Sequence, residues 1–328
     1  MNSRGLQAAA ILVVAAALLF VGFQVLGNDP VDSAQQEVVT ELTNIAPPTS
    51  TVEDAAVDAP STDNDESLAT EIEPPSADAE DDFPALVTDA VRDSEAPVEL
   101  GFTIVDTIDH DTDAFTQGLE ISNDRLFEST GLVGRSSIRE LDLATGDVLR
   151  LTDIPDVFAE GLTIVDDTAL QITWQDQIAY RYDLDTFELL DTYSYEGQGW
   201  GLCHDGAQLV MSDGTSTLDF RDPDTFELRS SVDVTLGNDP VTMINELECV
   251  NGSVFANIWL SSLIIEIEPS SGEVIGVLNA NALTPESVDV DSGAVLNGIA
   301  YDATDGTFLL TGKLWPTIYR VQISPVSQ

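Results

Sequence analysis

From about residue 101 to 323 the chain alternates apolar and polar positions in short runs, each closed by Asn, Asp, Gly or Pro, the period-two pattern of half-buried strands joined by tight turns. One phrase recurs at strand ends: LDLATG at 141–146, YDLDTF at 182–187, RDPDTF at 221–226 and IEPSSG at 267–272, with steps of 41, 39 and 46 residues. A weaker copy, VQIS, stands at 321–324. A second phrase interleaves with the first: Gln117-Gly118-Leu119, Glu160-Gly161-Leu162, Trp200-Gly201-Leu202, Asn245-Glu246-Leu247 and Asn297-Gly298-Ile299. Each is followed by a turn signal and another strand, so every unit holds four antiparallel strands. Five such units predict an all-β fold, a five-bladed β-propeller. The last unit stops after its third strand, and Phe102–Ile108 is expected to supply the fourth, so that the N- and C-terminal strands of the domain close the ring.

Equivalent positions in such units form rings around the axis. One ring reads Gln117, Glu160, Trp200, Asn245 and Asn297; the next reads Gly131, Trp174, Asp213, Trp259 and Lys313. A purely structural propeller places small or β-branched packing residues there, whereas these rings carry a carboxylate, amides, indoles and the only lysine of the chain. They mark a candidate site. An ion pair with Glu160 or Asp213 is the ordinary alternative role for Lys313, and blade packing is the expected role of Trp315. His110 and His204 are expected to be structural.

The pattern changes before residue 99. Leu6 to Leu26 is an almost unbroken apolar run long enough to span a bilayer, preceded by Arg4 and followed by acid, which predicts a membrane anchor with the rest of the chain outside the cytoplasm. A cleaved signal peptide followed by secretion is the rival reading. Residues 28–98 hold 19 acidic residues against the single basic Arg92, with proline pairs at 47–48 and 74–75, and are expected to form a disordered acidic tether. The expected organisation is therefore an anchor or signal segment at 1–27, a tether at 28–98 and the propeller at 99–328.

The chain has 59 acidic and 11 basic residues, a formal net charge of -48, which excludes nucleic acid as a partner. Two cysteines and two histidines are too few for a four-cysteine or three-histidine zinc site, and no metal or cofactor is expected. Cys203 and Cys249 lie on the inner strands of consecutive units. Export permits a disulfide, but their offsets within the repeat differ by one residue, which directs them to opposite faces of their strands, so free thiols are expected.

The ring positions also belong to longer motifs: FTQGL at 115–119, ESTG at 128–131, FAEGL at 158–162, GWGL at 199–202, SDG at 212–214, NELE at 245–248, VLNGIAYD at 295–302 and TGKLWP at 311–316. In this order they resemble the plant-type glutaminyl-peptide cyclotransferases, or glutamine cyclotransferases, over essentially all of 101–323. The resemblance implies conversion of an N-terminal glutaminyl residue to pyroglutamate with release of ammonia, on a five-bladed propeller and without catalytic zinc. It also implies Glu160 as the catalytic carboxylate and a pocket of Phe115, Gln117, Trp174, Trp200, Asn245, Trp259 and Lys313. Ala159 and His204 depart from the family's usual residues without removing a functional group. The residues suit that chemistry: one carboxylate in a partly desolvated pore moves protons, Gln117, Asn245 or Lys313 stabilises an oxyanion, and the aromatic rings Phe115, Trp174, Trp200 and Trp259 wall a substrate pocket. The implied partners are peptides or proteins with N-terminal glutamine and, through the first segment, a membrane; the propeller is expected to be monomeric. A calcium-dependent lactonase-like propeller using Glu160, Asn245, Asp213 and Asn297, and a non-catalytic peptide-binding propeller, are the alternatives.

Overall fold

The computed structural model describes residues 96–326, so the expected anchor and all but the last three residues of the expected tether lie outside the described residues. Among the described residues no helix is long and apolar enough to cross a membrane. The fold is all-β. Strand β1 (Val98–Asp109) is followed by three four-stranded antiparallel meanders: β2 (Thr116–Ser122) to β5 (Val148–Asp153), β6 (Ala159–Val165) to β9 (Leu189–Ser194), and β10 (Leu202–His204) to β13 (Leu228–Asp233). After the short hairpin of β14 (Thr235–Leu236) and β15 (Asp239–Pro240) comes β16 (Ile244–Val250) to β19 (Glu273–Asn279), and then β20 (Leu296–Asp302), β21 (Thr307–Gly312) and β22 (Thr317–Pro325). The order β20-β21-β22-β1 is again antiparallel: β1 pairs with β22 from Leu100 opposite Pro325 to Asp109 opposite Thr317. The closing strand is longer than its apolar pattern predicted, because Val98–Leu100 continues past β22 and pairs in parallel with Gly276–Leu278 of β19.

The first strands of successive sheets lie side by side, β2 against β6, β6 against β10, β10 against β16, β16 against β20, and β20 back against β2. Their approach is close enough to dictate residue type. A Cβ on Gly118 would stand 2.6 Å from the Leu162 nitrogen, one on Gly161 2.5 Å from the Leu202 nitrogen, and one on Gly201 2.1 Å from the Asn245 oxygen, which is why the second phrase repeats a glycine. The fourth copy has Glu246 there instead. Its buried carboxylate accepts the backbone N–H of Leu119 on β2 and of Ile299 on β20, at 3.3 and 2.9 Å, and so ties three inner strands together.

Apolar residues fill the spaces between facing sheets. Phe127 and Ile138 meet Leu162 and Ala169; Leu170 and Ile172 meet Leu202 and Met211; Leu119 and Leu126 meet Ala300 and Leu309. The first two strands of a sheet are buried on both faces, whereas outer strands such as β5 and β9 are largely exposed. The first phrase is explained by its turn: Asp142 accepts the N–H groups of Ala144 and Thr145 through Oδ1, and Asp183 and Asp222 repeat the arrangement.

The expectation of free thiols is overturned. Cys203 and Cys249 form a disulfide, with their Cα atoms 5.5 Å apart. The two strands belong to different sheets stacked face to face, and Cys203 and Cys249 join the same apolar cluster between β10–β13 and β16–β19. Residues on opposite faces of two stacked sheets point toward each other, so the one-residue offset that forbids pairing within one sheet brings the sulfurs together here.

Candidate functional site

The candidate residues sit where the inner strands begin, and the strand pairing explains why. Gln117, Glu160, Asn245 and Asn297 are each the second residue of their strands, and Lys313 follows the last residue of β21. At each of these four strand starts the register shifts against the partner strand, which frees the side chain from the regular ladder. Glu160, Gln117, Asn245, Asn297 and Lys313 are all buried.

Three of them form a relay. The Lys313 ammonium donates to Gln117 Oε1 at 2.7 Å, and Gln117 Nε2 donates to Glu160 Oε1 at 3.2 Å. An ammonium can only donate, so it fixes the Gln117 amide with its oxygen toward the lysine and its nitrogen toward the carboxylate. Asn297 braces the strand that carries Gln117 by donating through Nδ2 to the Thr116 carbonyl at 2.9 Å. Lys313 also lies 4.7 Å from the centre of the Phe115 ring. The ordinary alternative for the lysine is not what forms: among the described residues it makes no ion pair within 4.0 Å, and Asp213 accepts the Thr215 N–H at 2.9 Å in its own turn. Burial pushes the Glu160 carboxyl well above the usual carboxylate range, and the Lys313 charge opposes that rise. Burial likewise pushes Lys313 down to about 8, against the pull of Glu160. Asn245 Oδ1 is buried without a hydrogen-bond partner, an acceptor open to a ligand's N–H.

A wall of aromatic rings starts at the relay, with Phe115 beside Lys313. Phe115 lies edge-on to Phe158 at 6.2 Å between ring centres, Phe158 to Trp174 at 5.6 Å, and Trp200 to Trp259 at 5.4 Å. All four ring residues expected from the sequence are half-buried, and Trp174 and Trp200 are linked through the Gln198 amide oxygen. Gly131 contributes no side chain because Phe158 occupies the space, where a Cβ on Gly131 would come within 2.4 Å of its ring. Trp315 is fully buried and donates to the Ala294 carbonyl, a packing residue as expected. Beneath the site His110 donates through Nδ1 to the Trp315 carbonyl at 2.8 Å and meets Glu128 through Nε2 at 3.0 Å, fastening the turn that presents Lys313.

Two residues escaped sequence reasoning. Phe158 sits inside the FAEGL motif and is the hinge of the aromatic row, edge-on to both Phe115 and Trp174. Gln198 gave no signal, because its contact with the Trp174 indole spans 24 residues, from the end of the second strand of the β6–β9 sheet to the segment before β10.

The sheet arrangement and the buried carboxyl–amide–ammonium relay beside an aromatic wall define an all-β, propeller-like protein with ionisable groups gathered where its inner strands begin. Residues 82–323 match the family model described as glutamine cyclotransferase, and the chain belongs to that family. The glutaminyl-peptide cyclotransferase of Arabidopsis thaliana is 39% identical over 232 residues, covering 68% of this chain and 72% of that protein. The crystal structure of Myxococcus xanthus glutaminyl cyclase is similar with a TM-score of 0.67 at 39% identity, over 70% of this chain and 100% of that one.

Proposed function

We propose that the chain is a glutaminyl-peptide cyclotransferase, converting the N-terminal glutamine of peptides or proteins to pyroglutamate with release of ammonia. The observation that carries this reading is the buried Glu160 carboxyl, joined through Gln117 to Lys313. The substrate α-amine nitrogen attacks the carbon of its own side-chain amide, forming the ring C–N bond. Glu160, whose affinity for protons is raised by burial, takes the proton that the attacking nitrogen loses. It then delivers that proton to the amide nitrogen, the C–NH₂ bond breaks, and ammonia leaves. The Lys313 ammonium and the amide N–H groups of Gln117 or Asn245 stabilise the oxyanion formed between these steps. Phe115, Trp174, Trp200 and Trp259 grip the side chain in its ring-forming rotamer and exclude the water that would otherwise deamidate it.

The β2–β5, β6–β9, β10–β13, β16–β19 and β20-β21-β22-β1 meanders are read as the blades of a five-bladed propeller; the cyclic adjacency of their inner strands supports this. Domain boundaries at 1–27, 28–98 and 99–328, anchoring by the first segment and an extracytoplasmic, monomeric propeller complete the reading. The apolar run at 6–26 and the Cys203–Cys249 disulfide, a bond kept in oxidising compartments, support export.

The test is incubation of the purified chain with a Gln-initiated dipeptide, with and without chelator, reading ammonia and the mass lost. Chelator-resistant loss of one ammonia is expected, and Glu160→Gln should lower kcat by about 100-fold or more with little change in KM. No turnover would leave a peptide-binding propeller. Near-normal kcat in the variant would move proton transfer to another group.

A further inference from the structure

Trp174 and Trp200 donate their indole N–H groups to one and the same atom, Oε1 of Gln198, at 2.7 and 3.0 Å. An indole nitrogen can only donate, so its two partners fix the amide with the oxygen between the rings and Nε2 turned away. Gln198 is held at that point by glycines on either side. Gly197 has φ +87°, and a Cβ on Gly199 would stand 2.5 Å from the Tyr195 hydroxyl and 2.8 Å from the Thr173 carbonyl. The Gly199 N–H in turn donates to the Trp174 carbonyl at 3.0 Å. The loop's course is thereby set by backbone and packing, and the Gln198 side chain itself stays exposed.

The ring contacts divide the wall into two halves. Phe115, Phe158 and Trp174 form one edge-to-face row; Trp200 and Trp259 form the other. Gln198 Oε1 is the atom that bonds to both, since Trp174 ends the first row and Trp200 begins the second. We propose that Gln198 is a positioning residue for the cyclisation: its amide oxygen clamps Trp174 and Trp200 into one continuous wall that holds the substrate's glutaminyl side chain in the ring-forming rotamer. This rests on the functional reading above. A loosened wall still buries apolar surface against the substrate and so still binds it. What it loses is orientation, and the loss falls on the chemical step.

The experiment compares full-length Gln198→Met, which keeps the length of the side chain and removes the acceptor, with Gln198→Glu, which keeps the acceptor. Both are surface changes that leave the core untouched. In Gln198→Met, kcat for a Gln-initiated dipeptide should fall about tenfold with KM changed less than about twofold, the scale of losing two neutral hydrogen bonds. Its tryptophan emission and near-ultraviolet circular dichroism should also shift, as two indoles lose a common acceptor. Gln198→Glu should keep the unaltered spectra and most of kcat. Unimpaired kcat in Gln198→Met overturns the proposal, as does a Gln198→Glu variant equally impaired, which would assign the role to the amide nitrogen. If the unaltered chain releases no ammonia, the functional reading fails, and the positioning claim falls with it; failure of the Gln198→Met comparison in an active chain overturns the positioning claim alone.

Discussion

Replacing Lys313 by methionine removes the one ammonium at the site while keeping the length of the side chain. Lys313 is 4% exposed, and burial pushes it down to about 8 against the pull of Glu160. A group with that pKa is about nine-tenths charged at pH 7 and about one-tenth charged at pH 9, so a kcat that requires the cation falls about tenfold between them. The saturated rate is the quantity to follow, because the free substrate's own α-amine titrates near 8 and distorts kcat/KM. In Lys313→Met the alkaline fall in kcat should vanish, and kcat at pH 7 should drop about 100-fold, the scale of losing one preorganised oxyanion donor. The acid limb should move as well. Lys313 is the charge that opposes the rise of Glu160, so its removal lets the carboxyl hold its proton to higher pH, and the limb moves upward. The assay is ammonia release from a Gln-initiated dipeptide between about pH 5 and pH 10. An alkaline limb of unchanged midpoint in the variant, or an acid limb displaced downward, would refute the coupling of Lys313 to Glu160.

Reducing the Cys203–Cys249 bond, or replacing both cysteines by serine, opens a loop of 46 residues and should cost about 4 kcal/mol, seen as a lowered Tm; an unchanged melt would mean that the apolar cluster around the sulfurs suffices. A chain starting near Val98 should fold and keep full activity, whereas one starting past Ile108 exposes the β22 edge and should lose its cooperative melt. Equal melts for the two would disprove the closing role of β1. With 40 acidic and 9 basic residues beyond residue 98, the surface should favour Gln-Lys over Gln-Glu dipeptides through KM, and the preference should fade as salt passes about 0.15 M, where the Debye length is about 8 Å. A preference indifferent to salt would place the discrimination inside the pocket.

Much of the molecule is legible in one dimension because its determinants are local. The period-two alternation and the Asp-led turns at 142, 183 and 222 depend on residues within a few positions of one another, so strands, hairpins and their fourfold grouping follow directly from the order of residues. Repetition extends this reach: the copies put Gln117 and Glu160 at equivalent strand starts and Lys313 at the end of a following strand, and the structure joins these three in one buried relay. What the copies cannot encode is how one sheet faces the next. The disulfide depended on two stacked faces, and counting offsets along separate strands gave the wrong answer for Cys203 and Cys249. The amide of Gln117 received its orientation from a lysine 196 residues away, and Gln198 shares its amide oxygen between a near neighbour, Trp200, and Trp174, 24 residues back. Glu246, which breaks the glycine rule of its own repeat, does so because its carboxylate serves the backbones of two other inner strands. Local periodicity is written in neighbouring residues, but partners across an interface are chosen by distance in space, and only the closed packing of the sheets sets those distances.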